Sequence, residues 1–525
     1  MLCARGLPRA GGWTAVTGGI LSHPLAAPPG RRPGRWLALA VLAALSLAGC
    51  SQAGGGAQAS ESASGRRMAL KPCRLDGVAA QTLCGTLEVF EDRAAAKGRK
   101  ISLRVVVVPA LAAEPKADPL FFLAGGPGQA ASRTRILPAL ERIRRQRDIV
   151  FVDQRGTGDS HPLDCEALSP SRKSLAERFE DREDADVIPQ CRKGWDADER
   201  LYTTSIAMDD LDDVRAALGY RQVNLWGISY GTRAALVYMR QHPDRVRTAI
   251  LDGVAPMGQY LPLYAARDGQ RALDLLLEAC TKDSVCAKAY PDLRTRTEAL
   301  LAKLEAAPAK VHLAHPRTGV PEDFTLTRRV FLSELFSLLY SPDVASLVPL
   351  MLDRAAKDDW TPFVALSLGL TDEVARTTSR GMFMAVVCAE DAPFFTEEDA
   401  EREAKGTWFG PRMALDVKRA CAKWPQANVP PSFREPVKSD IPTLLLSGEL
   451  DPVTPPPWGE EAKRTLTHSL HVVVPGLGHN TVGADCARTL MAEVLARGSV
   501  EGLTPDCGAG LKRPPFFTSF AGPVP

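Results

Sequence analysis

The stretch NLWGISYGTRAALVY (224–238) sets Ser229 between Gly227 and Gly231, where a strand-like apolar run gives way to a helical one. A serine in a tight strand-to-helix turn needs small neighbours, and such a turn lifts its hydroxyl clear of the sheet as a nucleophile. The helix that follows aims free amides and the positive end of its dipole at the same point. A serine nucleophile requires a base, and the base an orienting acid. Of the eight histidines, His479 follows a late apolar run in a glycine-rich loop, PGLGHN. His471, inside that run, reads as a packing residue. For the acid, Asp451 ends the preceding run in SGELDPVTP, with Glu449 as the competing choice. Asp451 is preferred because Pro452 suits an acid leaving a strand end into a turn, and Thr454 is close enough to hydrogen-bond it. An acyl-transfer oxyanion needs two backbone donors. The amide of Tyr230 supplies one, and AGGPGQ supplies the other through Gly126 or Gly125, where no side chain blocks the approach.

The elements that must hold these residues alternate in type. GTLEVFED (85–92), ISLRVVVVPA (101–110), PLFFLAGGPGQ (119–129), DIVFVDQRGTGDS (148–160), QVNLWGIS (222–229) and VRTAILDGVAP (246–256) read as strands or strand ends. Helical spacing appears between several of them, as in IAMDDLDDVRAALGY (206–220). Short apolar runs without polar alternation predict strands buried on both faces of a parallel sheet. From 257 to 435 the rhythm is helical, and the strand pattern returns at IPTLLLSGELDP (441–452) and SLHVVVPGLGHN (469–480). The expected organisation is an α/β core in two parts, 71–256 and 436–525, with a helical cap, 257–435, inserted between them. Ser229, Asp451 and His479 then all fall at carboxyl ends of sheet strands, where open α/β sheets place their sites.

The N-terminus reads as a targeting segment. Arg31, Arg32 and Arg35 precede the apolar run WLALAVLAALSLA (36–48), too short to span a bilayer but suited to export. The run ends in Leu47-Ala48-Gly49-Cys50, which resembles a bacterial lipobox, so residues 1–49 are expected to be a lipoprotein-type signal peptide and Cys50 the lipidated residue. An ordinary signal peptide with a chance cysteine is the alternative. Residues 50–70, rich in Gly, Ser and Ala, form a tether. Beyond Cys3 and Cys50, ten cysteines fall in five neighbouring couples, Cys73/Cys84, Cys165/Cys191, Cys280/Cys286, Cys388/Cys421 and Cys486/Cys507. Short-loop disulfides between them fit an oxidising compartment. The chain has 525 residues and a net charge of +2, with no basic stripe interleaved with aromatics, which excludes a nucleic-acid surface. No metal-ligand motif appears, and neither a metal nor an organic cofactor is expected.

Five motifs in order, GGPG (125–128), DQRGTGDS (153–160), GISYG (227–231), SGELDPVTP (447–455) and GLGHN (476–480), resemble the α/β-hydrolase peptidases that contain the prolyl iminopeptidases and the secreted tripeptidyl aminopeptidases. The resemblance implies an α/β-hydrolase fold and a serine exopeptidase that frees residues, singly or as tripeptides, from peptide N-termini beneath a helical cap. A carboxylesterase or lipase with the same triad is the alternative. The exported, cysteine-rich build is more similar to the tripeptidyl aminopeptidase side. Ala124 stands where classical prolyl iminopeptidases have histidine, which bears on substrate more than on catalysis. An aminopeptidase must also hold an ammonium group. AVVCAEDAPFF (385–395), similar to an acidic stretch of the secreted relatives, offers Glu390 and Asp391 for this. Arg155 and Asp153 are expected to be structural. The expected partner is a peptide, with membrane contact only through the lipid on Cys50; Ser51 after it favours the periplasmic side of an outer membrane if the cell has one, and a secreted protein is the alternative.

Overall fold

The computed structural model of the chain describes residues 68–523, apart from 76–77, 79, 166, 168–173, 505–506 and 509. Residues 1–67, on which the expected signal peptide, Cys50 and most of the expected tether fall, lie outside the described residues.

Successive residues of a strand point to opposite sides, so an unbroken apolar run must be covered on both. The runs here build one nine-stranded sheet from β1 (Lys71–Cys73), β2 (Thr82–Phe90), β3 (Lys100–Val108), β4 (Leu120–Leu123), β5 (Ile149–Val152), β6 (Val223–Ile228) and β7 (Val246–Asp252), then, after a two-stranded interlude, β10 (Thr443–Gly448) and β11 (Ser469–Val474). The order is β1-β2-β3-β5-β4-β6-β7-β10-β11. The first three strands pair antiparallel, and every pair from β5 onward is parallel. Val105, Val107, Phe121, Leu225, Leu251 and Leu445 enter the core on one face, with residues of the helices Thr204–Ala217 and Tyr230–Gln241. Their neighbours Val106, Phe122, Phe151, Trp226, Ile250 and Leu446 enter the core on the other, with the helix Asp485–Arg497. This is the expected fold class, a mostly parallel sheet with helices on both faces.

Residues 257–435 are mainly helical and carry a core of their own around Leu273, Leu276, Phe331, Leu335, Met351 and Phe363. They also contain an antiparallel pair not anticipated in the sequence, β8 (Ala309–Ala314) and β9 (Pro321–Leu326). Its alternation is mostly polar, which conceals the period, and its turn uses Gly319 at φ 71°. All five neighbouring cysteine couples form disulfides, closing sequence separations from 6 to 33 residues. Among the described residues no helix is long and apolar enough to cross a membrane.

Candidate active site

Ser229 sits between β6 and the helix Tyr230–Gln241 with φ 58° and ψ −127°, a strained conformation for a residue with a side chain. Crowding explains both glycines. A Cβ on Gly227 would lie 2.2 Å from the Gly231 carbonyl oxygen, and one on Gly231 would lie 2.1 Å from that of Leu123. The turn is pinned by the Ser229 amide, which donates to the Asp252 carbonyl at 2.9 Å.

Asp451 is fully buried in the turn after β10. Its Oδ1 accepts from the amides of Val453 (2.8 Å) and Thr454 (2.9 Å), and its Oδ2 from the Thr454 hydroxyl (2.8 Å). Oδ2 also meets His479 Nδ1 at 2.9 Å, which leaves Nε2 as the face a nucleophile would use. Burial alone would push the Asp451 carboxyl up, but the imidazole and the two amides hold it below the usual aspartate range. Burial works against a charged His479, yet Asp451 and, to a smaller extent, Asp252 raise the imidazole above its ordinary value. The competing acid, Glu449, is exposed and accepts from the Gly476 amide instead of the imidazole. His471 bridges Ser447 (2.9 Å) and Glu460 (2.6 Å) between strands and helix, a packing role.

No hydrogen bond joins the Ser229 hydroxyl to His479 among the described residues. Gly253 lies against the imidazole: a Cβ there would lie 3.5 Å from His479 Cε1 and 3.7 Å from Asp451 Oδ2. Gly253 follows Asp252, which pairs in register with Ile228 of β6 and Leu446 of β10. On the other side, a Cβ on Gly125 would stand 3.2 Å from the Ser229 Cβ. Gly126, at φ 108°, is exposed beside it. Tyr230 opens its helix, and the first amides of a helix have no intrahelical acceptor. The first turn of that helix and the backbone of Gly125 therefore both lie beside Ser229.

The cap touches both halves of this arrangement. The Gly128 carbonyl accepts from the Ser379 amide at 2.8 Å, tying the glycine loop to the cap. The His479 amide donates to the Tyr340 carbonyl at 2.8 Å, and the Tyr340 ring stands edge-on to the imidazole with centroids 5.0 Å apart. Tyr340 packs on Phe336, which with Leu332, Phe409, Arg328 and Arg380 lines a cap cleft of about 540 Å³.

The expectation for Glu390 and Asp391 needs correction. Both are fully buried, and their oxygens are taken. Glu390 accepts from the Thr204 amide (2.6 Å) and hydroxyl (2.7 Å), and that hydroxyl meets the Tyr230 phenol at 2.6 Å. Asp391 is bidentate to Arg233 (3.0 and 3.1 Å), pairs with Arg434, and accepts from the Leu261 amide. Because Tyr230 and Arg233 belong to the helix that follows Ser229, the pair fastens residues 257–435 to that helix, Glu390 through Thr204, instead of presenting open carboxylates. Burial pushes the Glu390 carboxyl up to about 7. Arg155 forms a buried pair with Asp210, and Asp153 receives the Ser132 amide and hydroxyl, both structural as expected.

Residues 118–305 match the family described as "alpha/beta hydrolase fold", and residues 406–507 the one described as "TAP-like protein". The chain is 27% identical to serine protease Hip1 of Mycobacterium tuberculosis over 526 aligned positions, covering 90% of this chain and 96% of the relative. It is 27% identical to a tripeptidyl aminopeptidase of Streptomyces lividans, covering 71% and 73%. A probable proline iminopeptidase of Streptomyces coelicolor is 33% identical across a shorter stretch, 27% of this chain and 34% of the relative.

Proposed function

We propose that this chain, which belongs to the α/β-hydrolase serine peptidases related to the tripeptidyl aminopeptidases and proline iminopeptidases, releases N-terminal residues from peptides through an acyl-enzyme on Ser229. The observation that carries the mechanism is the 2.9 Å contact between His479 Nδ1 and a buried, fully hydrogen-bonded Asp451, at the sheet edge that also bears the strained Ser229. In this reading Nε2 takes the Ser229 proton as Oγ attacks the scissile carbonyl. Asp451 holds the tautomer and stabilises the imidazolium. The amides of Tyr230 and of Gly126 or Gly125 receive the developing oxyanion, each worth about 2.7–4 kcal/mol to the transition state. The imidazolium returns the proton to the leaving amine, and a water deprotonated by His479 then releases the acyl group.

Five disulfides fit an exported enzyme. The leader and Cys50 support a lipid anchor at the periplasmic face of an outer membrane. A Cys50→Ala variant is expected to leave the membrane fraction, and its unchanged retention would remove the anchor from the proposal.

The test is mass spectrometry of products from a mixed peptide library, with free and acetylated N-termini, beside Ser229→Ala. Short N-terminal fragments from the free-amine peptides alone, absent with the variant, are expected. Cleavage of p-nitrophenyl esters with every peptide untouched would favour an esterase instead.

A further inference from the structure

Asp252 is a buried acid that the triad does not use. It is the last residue of β7, between the strand that leads to Ser229 and the strand that leads to Asp451, and it is fully buried. Its two ends face the two halves of the site. Its carbonyl accepts from the Ser229 amide at 2.9 Å. Both carboxylate oxygens accept from one donor, the Thr481 amide, at 2.8 and 3.0 Å. Thr481 lies two residues beyond His479, so this contact fixes the loop that carries the imidazole, and Asn480 between them takes φ 74°. The next residue, Gly253, lies against the imidazole edge.

No arginine or lysine pairs with Asp252 among the described residues. The ionisable groups facing it are His479 from the loop after β11 and Asp451 from the turn after β10. From β6 comes Ser229, and from the cap Tyr340 stands on the imidazole. A buried carboxylate without a cation is costly unless something nearby gains from its charge. The imidazolium formed when Ser229 attacks is such a group.

We infer that Asp252 is a positioning residue for the proposed reaction, holding the His479 loop in register with Ser229 and adding a second negative charge near the protonated imidazole. It touches neither substrate nor the reacting atoms. Burial pushes its carboxyl up to about 7, and the imidazole it faces is raised above its ordinary value, so the two charges are coupled. This inference rests on the reading of His479 as the base.

The test uses Asp252→Asn and Asp252→Ser in the full mature chain, reading the pH profile of kcat/KM and the pH dependence of fluorophosphonate labelling. Either variant removes the charge, and asparagine keeps an acceptor for the Thr481 amide. The acidic limb, set by the protonation of His479, is expected to move to lower pH by about 0.5–1 unit, with a fall of about 10-fold at the plateau. A folded variant whose plateau falls while its limb stays in place would reduce Asp252 to a structural part and overturn the inference. Failure of both variants to fold would overturn it too, since the carboxylate would then be a demand of the fold. Loss of the triad reading itself has another signature: wild-type protein that hydrolyses peptides but is not labelled at Ser229.

Discussion

At the scale of single residues, geometry decides between groups that one motif sets side by side. Asp451 and Glu449 stand two positions apart in one motif, yet only Asp451 turns inward to the imidazole. Asp451→Asn is expected to lower kcat by about 10³- to 10⁴-fold with a small change in KM, because the amide favours the wrong imidazole tautomer. Steady-state kinetics on the preferred library peptide reads this directly. The elbow glycines are as demanding. Gly227→Ala places a methyl 2.2 Å from a backbone oxygen that cannot retreat without moving the helix. A fall in activity of about 100-fold is expected, with a lower melting temperature. These features were legible in the sequence because steric need is written in residue type, glycine where nothing larger fits and proline after an acid at a strand end. Asp252 was not legible. In AILDGV it reads as the polar end of a strand, and only the packing of β7 between β6 and β10 brings it under His479.

At the scale of elements, the cap is tied to the core from both sides of the site. Ser379 holds the glycine loop, Tyr340 the histidine loop, Asp391 grips Arg233 of the helix after Ser229, and Glu390 reaches that helix through Thr204. The acidic pair was misread because two neighbouring carboxylates after an apolar helix look alike whether they await an ammonium or meet Thr204 and Arg233 from elements far away in sequence. The helix Arg380–Glu390 is also joined to the helix Arg412–Cys421 by Cys388–Cys421, which closes 33 residues. Loop-closure entropy assigns such a bridge about 3–4 kcal/mol. Cys388→Ala with Cys421→Ala is expected to lower the urea midpoint and the melting temperature markedly, and calorimetry under non-reducing conditions checks it. The alternating strands and helices of the core showed in hydrophobic period, whereas β8 and β9, short and largely polar in their alternation, did not.

At the scale of the whole molecule, the buried acids give stability a pH dependence of predictable sign. Glu390 in the folded chain titrates near 7, against an ordinary 4.5. A carboxyl raised by folding contributes stability that is present below its unfolded value and is lost as pH rises through the folded one. Asp252, also raised to about 7, acts in the same direction. Acids held low, such as Asp451, lose their contribution only as pH falls below about 4, outside this window. Denaturant midpoints are therefore expected to fall between about pH 5 and 7.5, and less steeply in Glu390→Gln, which can keep the contact to Thr204 without a charge. An equal slope in both proteins would show that Glu390 is ionised throughout.

Fluorophosphonate labelling followed by peptide mass mapping tests the nucleophile, the base and their convergence at once. The adduct is expected on the peptide containing Ser229, at a rate that falls on acidification with the protonation of His479, and it should be absent from His479→Ala. An adduct on a different residue, or undiminished labelling of Ser229 without the imidazole, would contradict the assignment.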